Sequence, residues 1–152
     1  MSYQTINPLT DEVVKTYDNH DDAYVEEALS RGHALYKKWR NDPIDSRTEA
    51  LSKVADLIAL KADELAKILT IEMGKRLVEA KGEVAITVAI ARYYAKHGAE
   101  FLKPRDIVSS IGPAQIISRP TRCCSWLNHG IFHITKLCVS LRQTMWQETR
   151  WF

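Results

Sequence analysis

Apolar residues change their period several times along the chain. From Tyr3 to Tyr17 they gather in two short runs, YQTI and EVVKTY, on either side of the turn-rich NPLTDE, a pattern that predicts a β-hairpin. From Asp21 the spacing becomes helical. Val25, Ala28, Leu29, Leu35, Tyr36 and Trp39 recur on one face, and Asn19, Asp21 and Asp22 are available as N-caps, so a first amphipathic helix is expected to end near Arg40, where NDP breaks the pattern.

A second helix is expected to open near Pro43 with a capping box, Ser46 and Glu49, in which each side chain satisfies a backbone donor that the first turn leaves open. Leu51, Val54, Ala55, Ile58, Ala62, Leu65, Ile68 and Leu69 carry its stripe onward, with re-capping available at Asp63. It ends at Gly74 of MGK, a C-terminal glycine followed by basic residues that suit the helix dipole. A third helix, from about Val78 to Leu102, sets Ala80, Val84, Thr87, Val88, Ala91, Tyr94 and Gly98 on one face. After Pro104, DIVSSIGPAQIISRPT predicts a loop and a strand around Ile116 and Ile117. The apolar arcs of the helices are wide, which suits burial from more than one side, yet the chain supplies few neighbours to do it.

Length adds little, since 152 residues are in the usual range for one domain with one core. Charge adds more. The total is only +2, which argues for neither a nucleic-acid nor a membrane partner, but residues 1–106 hold 18 of the 19 acids and 16 of the 21 bases. Residues 107–152 hold one acid, Glu148, against five bases, Arg119, Arg122, Lys136, Arg142 and Arg150. All three cysteines fall in that second part, as Cys123, Cys124 and Cys138. No basic region followed by an apolar core opens the chain, and no stretch approaches the roughly 18 apolar residues of a membrane span. A cytoplasmic protein is expected, with free thiols or a metal site rather than disulfides.

The stretches TINPLTDEVV, EALSRGHALYKKWR and SRTEALSKVADLIALKADELAKILTIEMGKRLVEAKGEV closely resemble the N-terminal region of NAD(P)-dependent aldehyde dehydrogenases. Glu72, Gly74, Lys75, Ala80 and Glu83 in EMGKRLVEAKGE are the most diagnostic positions, and the wording is most like the succinate-semialdehyde dehydrogenase branch. The resemblance runs from about Tyr3 to Thr121. It implies an α/β family fold of which this portion is mainly α: a hairpin, three long helices and a candidate strand. It further implies a homo-oligomeric enzyme several-fold longer, which oxidises a small aldehyde to its acid with NAD or NADP. A cysteine thiolate attacks the aldehyde, an asparagine and a backbone amide hold the oxyanion, hydride passes to the nicotinamide, and a glutamate activates the water that hydrolyses the thioester. All of these groups lie beyond the matching region. No catalytic, cofactor-binding or metal-ligating residue is therefore assigned in this chain. Glu72 and Glu83 are read as solvated or ion-paired, Gly74 as a cap, and Trp39, Tyr93 and Tyr94 as core; His20, His33 and His97 have no evident partners.

In such enzymes IISRPT would lead into a GVLLxVEPWNFP segment that begins the dinucleotide-binding domain, but here the sequence departs at Arg122. The missing motif is recovered when each codon's last base is read with the first two of the next. Cys123 to Cys124 forces leucine. The steps from Leu127 through His133 permit Glu-Pro-Trp-Asn-Phe-Pro, and Met145 through Gln147 forces Val-Ala, after which Gly-Asn is permitted. Residues 1–121 thus read as an incomplete aldehyde dehydrogenase portion and 122–152 as an out-of-frame tail. His129 and His133 have the i, i+4 spacing of zinc ligands. The adjacent Cys123 and Cys124 lack the separation of a chelating pair, however, and the frame accounts for Cys138 as well. Nor is Asn128 the oxyanion asparagine, which belongs to the other frame.

Two functional expectations follow. The chain is an N-terminal dehydrogenase portion without activity of its own, binding no cofactor; the alternative is a helical module that binds full-length subunits or another partner. Ordering costs about 1.5 kcal/mol per residue, so three helices and a hairpin alone are expected to be partly folded and prone to aggregate.

Overall fold

The computed structural model describes residues 3–119. Strands β1 (Tyr3–Ile6) and β2 (Val13–Tyr17) form an antiparallel hairpin with Tyr3 opposite Tyr17 and a bulge between Thr5 and Ile6. Its turn is closed by the Asn7 amide donating to the Glu12 carbonyl and the Asp11 amide donating to the Asn7 carbonyl, both at 2.9 Å. The Asn7 side chain accepts from the Leu9 amide at 3.0 Å, and Asp11 takes the left-handed conformation that Asn and Asp tolerate (φ 55°).

Helix α1 (Asp22–Trp39) starts where the sequence places it, with the Asp21 carboxylate accepting the Tyr24 amide at 2.8 Å. Helix α2 (Ile44–Leu60) does not use the expected capping box. Pro43 stands at the N-cap with extended backbone (φ −54°, ψ 147°), which places Ser46 inside the first turn, where its hydroxyl donates to the Pro43 carbonyl at 2.9 Å. Glu49, no longer near a free amide, pairs along the helix with Lys53 at 2.7 Å.

The long second helix is divided at Lys61 (φ −97°, ψ 17°), after which α3 (Ala62–Met73) begins. Hydrogen bonding runs on across the joint: the Lys61 amide donates to the Leu57 carbonyl, and the Lys61 carbonyl accepts from Leu65. The bend lets α2 and α3 each lie along α4 (Leu77–Phe101). Two small cores result. Leu51, Ala55 and Ala91 join α2 to α4, backed by Ile58, Tyr94 and Ala95; Ala66, Leu69, Ala80 and Val84 join α3 to α4, backed by Ile58, Ala62 and Leu65. Ala55, Ala66 and Ala80 are fully enclosed, so the helix backbones approach closely. Surface bridges span the same seams, Arg92 to Asp56 at 2.9 Å and Lys81 to Asp63 at 2.8 Å.

The expected face of α4 is the buried one, with Tyr94 half-buried at its edge. The strand anticipated near Ile116 is β4 (Ala114–Ile116), and it pairs with β3 (Arg105–Ile107), a stretch that reads as loop because three residues carry no period. Asp106 and Gln115 face each other in that ladder, and the Gln115 amide donates to the Asp106 carboxylate at 2.7 Å. By contrast α1 buries no residue, and Tyr24, Val25, Leu29 and Leu35 on its apolar side are each about half exposed. The hairpin is likewise exposed along β2. Among the described residues no helix is long and apolar enough to cross a membrane.

Candidate functional site

The most polar buried place in the described chain is the joint between α3 and α4. Gly74 closes α3 in the left-handed conformation (φ 66°), its amide donating to the Thr70 carbonyl at 3.0 Å. This is the conformation that glycine adopts without a Cβ penalty. The next residue, Lys75, reaches α4 and donates to the Glu83 carboxylate, Nζ to Oε2, at 2.5 Å. The Glu83 side chain is 2 % exposed and that of Lys75 12 %. One turn along, Thr87 is enclosed and its hydroxyl donates to the Glu83 carbonyl at 2.8 Å. Ala80, which leaves room for α3 to come close, belongs to the core beneath.

Four of the five most diagnostic sequence positions, Gly74, Lys75, Ala80 and Glu83, therefore meet here, and Glu72 is half-buried nearby in the chain. Glu83 is ion-paired as expected, but buried rather than solvated. Only a nearby cation makes that tolerable, because an unpaired carboxylate would be expelled or protonated. Other pairs lie in solvent. Arg76 binds Glu79 at 2.5 Å and holds its carboxyl below the usual range by hydrogen bonding and charge; Lys81 does the same for Asp63. Arg47, in the first turn of α2, is a second buried charge that sequence reasoning missed. Burial pushes its guanidinium down from the ordinary value, partly opposed by Asp42.

The remaining singled-out residues are ring contacts. His20 stacks on Tyr24 (3.8 Å between centroids), His33 lies 6.2 Å from Tyr36, and His97 lies 4.8 Å from Tyr93, so each histidine has an aromatic neighbour that sequence alone did not reveal. Tyr93 is 51 % exposed, which corrects its reading as core; a helix surface position one residue from the seam faces outward. Trp39 and Tyr94 are half-buried. Cys123, Cys124, Asn128, His129, His133 and Cys138 lie outside the described residues.

Chemically the joint has little to offer a substrate. A carboxylate held by an ammonium at 2.5 Å is not poised as a base, and residues 3–119 contain no cysteine. Among the described residues no three His, Cys, Asp or Glu side chains gather as a metal site would need. The described strands pair antiparallel, and among the described residues no glycine-rich turn leads from a strand into a helix. These residues do not fit a dinucleotide phosphate.

Comparison with known proteins identifies the family. The profile of the aldehyde dehydrogenase family matches residues 1–121. The NADP-dependent succinate-semialdehyde dehydrogenase of Deinococcus radiodurans is 37 % identical over 118 residues, 78 % of this chain and 25 % of that one. Its Mycobacterium ulcerans counterpart is 36 % identical over 122 residues, 78 % of this chain and 26 % of that one. The crystal structure of succinic semialdehyde dehydrogenase from Streptococcus pyogenes with NADP+ superposes with a TM-score of 0.74 at 40 % identity, covering 78 % of this chain and 26 % of that chain. The chain thus spans about a quarter of the length of the curated relatives it matches.

Proposed function

The chain belongs to the aldehyde dehydrogenase family through residues 1–121, and from that premise we propose that it is the N-terminal portion of an enzyme taking succinate semialdehyde to succinate with NADP. The overall reaction consumes aldehyde, NADP+ and water and yields the acid, NADPH and a proton. This portion supplies scaffold and no catalytic group. The observation that carries the reading is the 37–40 % identity to succinate-semialdehyde dehydrogenases over 78 % of the chain. The joint supports it from the structural side, since the motif most diagnostic of the family is spent on a glycine cap, a buried ion pair and close helix packing.

The test is a chimera in which residues 3–119 replace the corresponding part of the Streptococcus pyogenes enzyme, assayed for NADPH formation from succinate semialdehyde and from longer aldehydes. Activity on succinate semialdehyde is expected, which reads the fit of this scaffold to the rest of such an enzyme. A soluble, folded chimera that is inactive would sink the assignment. The purified chain alone is expected to form no NADPH, and aldehyde-dependent NADPH from it would overturn the scaffold role.

Residues 122–152 we read as an out-of-frame tail. The family match stopping at residue 121 supports this, as does the charge reversal beyond it. Resequencing the gene from the Ile116 codon onward decides the matter: an undisturbed frame across Arg122 removes the idea.

A second reading, a helical module that binds full-length subunits, is favoured by the half-exposed Val25, Leu29 and Leu35 on α1. Co-elution with an intact family enzyme on size exclusion is its expected signature; separate elution at micromolar concentration counts against it.

A further inference from the structure

We propose that the Lys75–Glu83 ion pair is a latch that sets where the N-terminal hairpin sits on the helical body, with Glu83 as the positioning residue. Most of the hairpin lies in solvent. β2 is exposed along its length and β1 nearly so, and an isolated two-stranded hairpin is marginally stable at best in water. Its turn touches the body at the α3–α4 linker. A Cβ built on Gly74 would lie 3.0 Å from Cγ of Pro8, so the Pro8 ring rests on the backbone of the α3–α4 linker where only a glycine leaves room.

That linker, Gly74 to Arg76, has no regular structure of its own. Its position is set by the end of α3, the start of α4 and the side chain of Lys75. Glu83 anchors Lys75 from α4: Oε2 takes the ammonium, and Oε1 is buried with no hydrogen-bond partner among the described residues. A buried pair of this kind adds little net stability against an apolar pair, but displacing one partner strands the other. It therefore resists movement of the linker more than it stabilises the helices, and through Gly74 it holds Pro8.

Amide hydrogen exchange by mass spectrometry on the full chain tests this. Glu83→Gln is expected to speed exchange in residues 3–17 about tenfold while the α2 and α4 segments around Leu51 and Ala91 keep their protection. Lys75→Arg, which retains the charge, is expected to behave as wild type. Pro8→Ala is expected to loosen the same hairpin amides, and adding Glu83→Gln to it should loosen them no further, because both act through one contact. The latch is overturned by an unchanged hairpin in Glu83→Gln, or by additive effects of the two substitutions. It is equally overturned by a rise in exchange spread across all helices, or by loss of the helical circular-dichroism signal, either of which would make the pair a general core stabiliser.

Discussion

Two leucines in neighbouring helices offer the sharpest test of where this chain keeps its stability. Leu51, on α2, is 3 % exposed and sits between Ala55 and Ala91; Leu29, on α1, is 50 % exposed. Truncating either to alanine removes three carbons, which are worth about 0.8 kcal/mol each when fully buried. For Leu51 that is about 2.4 kcal/mol of transfer, plus a cavity contribution. Alanine neighbours have no side chain to collapse inward, although half-buried Ile58, Tyr94 and Ala95 can shift, so a total of about 3 kcal/mol is expected, low in the range of about 2.7–5 for buried leucines. For Leu29 only about half the transfer applies and no cavity forms, giving about 1 kcal/mol, less a few tenths for the better helix propensity of alanine.

The described core holds eight buried apolar residues, four of them alanine, so 3 kcal/mol is a large share of the 5–15 kcal/mol typical of a domain. Urea titration followed by far-ultraviolet circular dichroism measures both variants as shifts in midpoint at constant slope. Equal losses for Leu29→Ala and Leu51→Ala would refute the reasoning, since they would mean that α1 is packed in solution as firmly as α2. Repeating the titration over a range of protein concentration would show whether self-association does the packing.

Gly74→Ala forces a side chain into the left-handed region (φ 66°) and toward Pro8; it is expected to cost about 1–2 kcal/mol, read as a lower thermal midpoint, with Gly74→Asn costing less because asparagine tolerates that conformation. Thr87→Val keeps the shape of a fully enclosed side chain but removes its 2.8 Å bond to the Glu83 carbonyl, and a loss of about 0.5–1.5 kcal/mol is expected in the same melt. Glu49, Asp63 and Glu79 have folded-state carboxyls held below the usual range by hydrogen bonds from, and the charges of, Lys53, Lys81 and Arg76 respectively. A depressed folded pKa contributes stability that is present above the unfolded value and lost as pH falls through the folded one, so the thermal midpoint should hold steady from neutral pH to about 5 and decline below about 4. All three pairs are exposed, so the decline should be shallow and weaken with salt, and Asp63→Asn should remove part of it.

Much of the architecture was legible before any coordinates, because helices announce themselves within a few residues. The caps at Asp21 and Gly74 and the buried stripe of α4 depend on neighbours three or four positions away, and each lies where the sequence puts it. The family signal in EMGKRLVEAKGE was equally local. The capping box at Ser46 failed for the same kind of reason, since Pro43, three residues earlier, starts the helix first.

What sequence could not show are the outcomes that depend on two parts of the chain meeting. Three-residue strands such as β3 become strands only when their partner is present, nine positions on. The break at Lys61 has no glycine or proline behind it, and the re-capping available at Asp63 is not used, since no side chain caps α3; the break accompanies the packing of α2 and α3 on one helix. Glu83 is the clearest case. Among alternating lysines and acids it reads as a solvated or ion-paired residue, and nothing within a helical turn says that it is buried. It is buried because the turn at Gly74 sends Lys75 back across α4, bringing an ammonium to a carboxylate eight positions away. Sequence determined which segments are helical and to which family they belong, since both are carried by short-range pattern; tertiary structure alone decided which charges are enclosed, because burial is a property of the neighbours that arrive.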